Sequence, residues 1–148
     1  VMLPVPSEQA LWIRRFVFAG LLPFYALAAL VWVVPGLNWP AQLLLLYGGM
    51  IFCFVGAVHF GAALFNAAMP RGGLWWSIMP AVAAAPILLT PPVFGLPLVA
   101  GGLILAWSVD QTMLETVLPL WYRQLRDYLT AGAVLALILG WLGAIQIH

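Results

Sequence analysis

LLLLYGGMIFCFVGAVHFGAALF, residues 43–65, runs for 23 residues without a single Asp, Glu, Lys or Arg. About 20 predominantly apolar residues suffice for a helix to cross bilayer hydrocarbon, and a helix on the surface of a soluble protein carries a polar face. This stretch has none, so it reads as a membrane span. One side chain, His59, does not belong in hydrocarbon.

The rest of the chain agrees. Of 148 residues, 66% are apolar and 6% charged, and the mean hydropathy is +1.11. Soluble domains carry about 25% charged residues, because a surface facing water needs them. A formal net charge of +1 offers no footprint for nucleic acid. The single cysteine, Cys53, cannot form an internal disulfide and reads as a small apolar residue.

Five apolar segments stand out, at residues 16–34, 43–65, 74–89, 93–109 and 128–145. The third and fourth are short and interrupted by Pro80, Pro86 and Pro97, and the TPPVFG turn between them cannot continue a helix. They read as a re-crossing hairpin, with a re-entrant pair as the alternative. Residues 1–148 therefore form one all-α bundle of five transmembrane helices. The N-terminus and the loops at 66–73 and 110–127 then share one side, which holds all five arginines and all four acids. Cationic bias of this kind marks the cytoplasmic face, so the N-terminus is expected inside and the C-terminus in the periplasm. Trp12, Trp75, Trp76, Trp107 and Trp121 fall near the inner boundary and Trp32, Trp39 and Trp141 near the outer one, where indole rings are favoured. RRFVFAG at residues 14–20 echoes a twin-arginine export signal, but the apolar run behind it is long and four more follow, so it begins an uncleaved span.

LPLWYRQLRDYL, residues 118–129, is amphipathic: Leu118, Trp121, Tyr122, Leu125, Tyr128 and Leu129 recur at helical spacing, with Arg123, Gln124, Arg126 and Asp127 opposite. It reads as an interfacial elbow before the last span. Arg14, Arg15, Arg71, Arg123 and Arg126, with Trp121 and Tyr122, are expected among lipid headgroups.

In lipid, helices associate through close packing of small residues. Gly49, Cys53, Ala57 and Gly61 form such a stripe on span two, and Gly132, Ala136, Gly140 and Ala144 on span five. The two could pack on each other or on a partner. His59 projects from the opposite face of span two, which makes that span central.

His59 lies toward the inner end of its helix, at the level of Asn66, Ser77 and Asp110. Intramembrane ionisable groups are functional candidates by default. His59 could ligate haem or another metal, hydrogen-bond a quinone carbonyl, or relay protons with Asp110. The bland alternative is a neutral imidazole that pegs neighbouring helices together. A bis-histidine haem within one chain is excluded, since the only other histidine, His148, lies at the opposite face. No metal-ligand set, phosphate loop or nucleophile motif occurs, so neither enzymatic activity nor a cofactor is expected.

GLLPF (20–24), YGGMIFCFVGAVHFG (47–61), LWWSIMPA (74–81), Asp110 and LPLWYRQLRDYLT (118–130) together resemble the transmembrane protein 69 family over nearly the whole chain. Phe60 stands where that family usually has tryptophan, and Gln111 where a basic residue is common. The resemblance implies a multi-pass protein of the bacterial inner membrane with a mitochondrial counterpart, and it brings no established activity. The expected function is a non-catalytic accessory or assembly subunit, bound to other integral subunits of an energy-transducing complex, respiratory or photosynthetic, with contact to a quinone or pigment. The rival is a quinone, haem or lipid binder centred on His59.

Overall fold

The computed structural model describes residues 7–65 and 69–146. Within them every regular element is a helix: α1 (Ser7–Ala19), α2 (Leu22–Val33), α3 (Trp39–Phe65), α4 (Arg71–Leu88), α5 (Pro92–Met113) and α6 (Leu120–Gln146).

The first expected span is broken. Pro23 has no amide hydrogen and its ring crowds the carbonyl four residues back, so the chain turns at Gly20–Leu21 between α1 and α2. The carbonyl of Gly20 left over at the break accepts a 2.6 Å hydrogen bond from the Tyr47 hydroxyl on α3. By contrast, α4 and α5 run straight through Pro80, Pro86 and Pro97. Pro91 and Pro92 confine the turn to residues 89–91. Between α2 and α3 the chain reverses through Gly36, whose φ of 99° is open to glycine at little cost.

Four rods are long and apolar enough to cross a bilayer: α1 with α2 (Ser7–Val33), α3, α5 and α6. These make the chain a multi-pass membrane protein. The third of the five expected spans corresponds to α4, whose 18 residues begin with Arg71 and two glycines and are diluted by two prolines. It stays outside that set.

Contacts fix the register. Beside α3, α4 runs antiparallel, with Gly49 against Leu88 and Gly56 against Ser77 and Pro80. On the next flank α5 is parallel to α3, Gly48 meeting Val99 and Phe52 meeting Gly102. Antiparallel to α5, α6 places Asp127 beside Trp107 and Trp141 beside Val93. Helix α2 closes the bundle against α3 and α6. Only α3 touches α2, α4, α5 and α6 alike, the central position expected of it.

Glycine sets these distances, though not through the stripes expected. The α3 stripe and the α6 stripe do not meet. On α6, Gly132 faces Leu21 and Tyr25, Gly140 faces Leu44 and Ala28, and Ala136 and Ala144 are buried. On α3, Gly49 is packed and Cys53 is half-buried against the core, whereas Ala57 is exposed and nothing lies within 4 Å of a side chain at Gly61. The close approach on α3 is instead at Gly56, where a Cβ would sit 2.7 Å from Pro80 Cγ and 3.1 Å from the Ser77 carbonyl oxygen. Neither the pyrrolidine ring nor a main-chain oxygen can rotate away. Gly56→Ala is expected to destabilise the bundle by about 1–3 kcal/mol, with Gly61→Ala silent; thermal unfolding in mild detergent compares the two.

The expected elbow is absent as a separate element. Residues 114–119 form the turn after α5, and α6 then runs unbroken from Leu120. Its first turns dock on the bundle: Leu125 and Arg126 are buried while Tyr128 is exposed. The apolar face expected to lie in the headgroup layer is thus split. The loop expected at residues 110–127 shrinks for the same reason, leaving Asp110 inside α5 and Arg123, Arg126 and Asp127 inside α6.

Candidate functional site: a buried His–Asp–Arg junction

Three buried stripes descend the bundle to one level. On α3 it runs through Leu45, Gly48, Phe52 and Val55 to His59; on α5 through Leu96, Val99, Leu103 and Ala106 to Asp110; on α6 from Gly140 through Leu137, Ala133 and Thr130 to Arg126. Each follows helical three-and-four spacing. Where the apolar residues stop, three polar side chains meet.

Asp110 joins them. Its Oδ1 lies 2.6 Å from His59 Nε2, and its Oδ2 accepts from Arg126 Nε at 2.7 Å. Arg126 Nη1 donates to Thr130 Oγ1 at 2.9 Å, one turn along α6. A carboxylate paired with a guanidinium only accepts, so His59 Nε2 carries the hydrogen. His59 is 0% exposed, Asp110 7% and Arg126 8%. In so dry a place the mutual attraction is strong, and charge-assisted bonds of this length are the stronger kind. Desolvation offsets much of that gain, so the net contribution of the junction is far smaller than the cost of removing one of its partners.

Two corners stay open. His59 Nδ1 and Arg126 Nη2 are buried and have no hydrogen-bond partner. For a neutral imidazole the first is only a lone pair. The second is an N–H pair in low dielectric, a costlier vacancy.

A second network flanks the first on the exposed side of α5 and α6. Asp127 Oδ1 accepts from Trp107 Nε1 at 2.6 Å and from Gln111 Nε2 at 2.8 Å, and Gln111 Oε1 accepts from Arg123 at 3.0 Å. The two helices are therefore tied twice within two turns.

Of the residues expected to cluster, His59 and Asp110 come together. Ser77 is buried on α4, yet its hydroxyl donates at 2.6 Å to Leu74 of its own helix and leaves the junction alone. Asn66 lies outside the described residues. Among the expected headgroup residues, Arg14, Arg15 and Arg71 are exposed, the first two over the rings of Trp121 and Trp12 at 5.6 and 5.4 Å. Trp121, Tyr122 and Arg123 are half-buried. Arg126 is the correction: it faces the core as the counter-ion of Asp110. A signal for this existed, since position 126 continues the buried spacing of Thr130, Ala133, Leu137 and Gly140.

Beside the junction lies a cavity of about 250 Å³. It exists because α1 stands away from the bundle with no buried residue, leaving a gap between its last turn and α3, α5 and α6. Its lining joins Phe16 and Phe54, 72% and 66% exposed, to the buried Asp110 and Arg126 and the half-buried Tyr122. His59 does not line it. Among the described residues no group of three or more His, Cys, Asp or Glu is placed to hold a metal.

Apolar rods, no strand among the described residues and a buried ion pair at one end define a helical multi-pass membrane protein. Residues 10–142 match the family described as "Protein of unknown function (DUF3429)", and the chain belongs to that family. No curated protein and no solved structure matches the chain.

Proposed function

We propose that this protein is a non-catalytic accessory or assembly subunit, docked through α3 onto a larger energy-transducing complex, respiratory or photosynthetic, of the inner membrane. The observation that carries the reading is the open half of the α3 stripe. Among the described residues no helix packs against Ala57 and Gly61, although Gly48, Gly49 and Gly56 on the same helix are packed by Leu137, Leu88 and Pro80. Phe54, Phe60 and Leu64 border the bare strip. Small residues between large ones let another helix approach closely. The finer topology belongs to the same proposal: α4 crosses as a fifth span, the arginine-rich end faces the cytoplasm, and the likeness to the transmembrane protein 69 family supports the inner membrane.

Native electrophoresis of gently solubilised membranes tests this. The protein is expected to migrate with a large complex, and Gly61→Trp to release it as a folded monomer. Finding only free protein in native membranes would refute the docking role.

One observation, the cavity beneath α1, favours a second reading as a small-molecule binder. Its contact residue is Arg126, since His59 is enclosed and already bonded.

A further inference from the structure

We infer that the cavity takes the head of a neutral, carbonyl-bearing ring with an apolar tail, the chemical class of the membrane quinones. This deepens the binder reading, and Phe54 is the residue it shares with the bare strip on α3.

The charge at the site excludes most alternatives. Asp110 and Arg126 cancel, and the carboxylate is shared between His59 Nε2 and Arg126 Nε. An anionic headgroup would bring a second negative charge close to Asp110 with no further cation in the cavity wall. A cation would meet a carboxylate whose two oxygens are already used. Arg126 lines the cavity while its Nη2 is closed off and unpartnered; a turn of the guanidinium would offer that N–H pair to an uncharged acceptor. A ketone or quinone oxygen supplies that acceptor without adding charge.

The walls fit the rest of such a molecule. Phe16, Phe24, Phe54 and Val58 are apolar, and three of them are aromatic. At about 250 Å³ the space suits one substituted ring and not a phospholipid headgroup with its chains. A tail would leave between Phe16 and Phe54, on the exposed flank of the bundle, into hydrocarbon. Pockets for small ligands commonly combine apolar walls with a few placed polar groups.

The probe is a decyl-substituted dimethoxy-benzoquinone added to the purified full-length protein in neutral detergent. Native mass spectrometry reads occupancy, and infrared spectroscopy reads the quinone carbonyl stretch. Saturable binding of a single quinone per chain is expected, with the stretch lowered by the hydrogen bond. Arg126→Lys keeps a cation beside Asp110 but loses the guanidinium fork, so the stretch should return toward its free value. Leu129→Trp fills the cavity from α6 while leaving the residues of the junction in place, and should cut occupancy about tenfold or more with the helical fold retained. If Arg126→Lys does not fold, Leu129→Trp alone decides. Binding that Leu129→Trp leaves intact overturns the site. Failure to bind quinone overturns the ligand class; if an anionic phospholipid then co-purifies and is lost in Leu129→Trp, the binder reading survives with a different occupant, and if nothing does, both fall.

Discussion

Asp110→Ala is expected to destabilise the folded protein by about 3–5 kcal/mol, the usual consequence of removing one partner from a buried ion pair. The substitution removes the acceptor for both His59 Nε2 and Arg126 Nε. Arg126 then keeps only Thr130, and a guanidinium 8% exposed cannot be rehydrated without moving. An ordinary interhelical hydrogen bond in a membrane protein contributes only about 0.6 kcal/mol on average, so the magnitude separates the two accounts. Denaturant titration in mixed micelles gives it. A loss below about 1 kcal/mol would mean that Arg126 swings out to the headgroups and that the junction is an incidental contact. Asp110→Asn should fall between, since an amide oxygen still accepts one bond.

The second large effect is expected at Gly140. A side chain there would collide with Leu44 Cδ2, and its Cβ would already stand 3.8 Å from the Cα of Ala28. Leu44 is 0% exposed, so it has nowhere to turn. Gly140→Leu must push α6 away from both α2 and α3, costing about 3 kcal/mol, at the upper end for overpacked cores. Gly101→Leu on α5, where nothing lies within 4 Å, is the matched control and should be silent. Helix propensity favours leucine over glycine at both sites, so equal losses would mean that the crowding at Gly140 is not what sets its cost. Thermal unfolding in one detergent measures both.

Helix identity was legible because long runs of Leu, Ala, Val and Phe without charge have few other physical solutions. Breaks were harder. Three prolines in α4 and α5 pointed to interruption, yet those helices continue; Pro23 did interrupt, with Tyr47 at hand to satisfy the stray Gly20 carbonyl. Local sequence lists the breakers but does not say which neighbour stabilises the broken turn. The pairing of His59 with Asp110 could be approached from level along the span. Arg126 was misplaced because a short amphipathic window was read alone. Extended into α6, the same spacing puts Arg126 on the buried side. Stripes of small residues also exist independently of their partners: the α6 stripe found α2 and α3, and half of the α3 stripe found nothing among the described residues.

The order of the junction's members along the polypeptide has a consequence for biogenesis. Asp110 stands 51 residues after His59 and 16 residues before Arg126. During synthesis the acid therefore reaches the bilayer ahead of its counter-ion, with only the imidazole for company. Packing of α6 against α3 and α5 completes the neutralisation, so the charge on Asp110 is balanced only once the final helix of the bundle is in place.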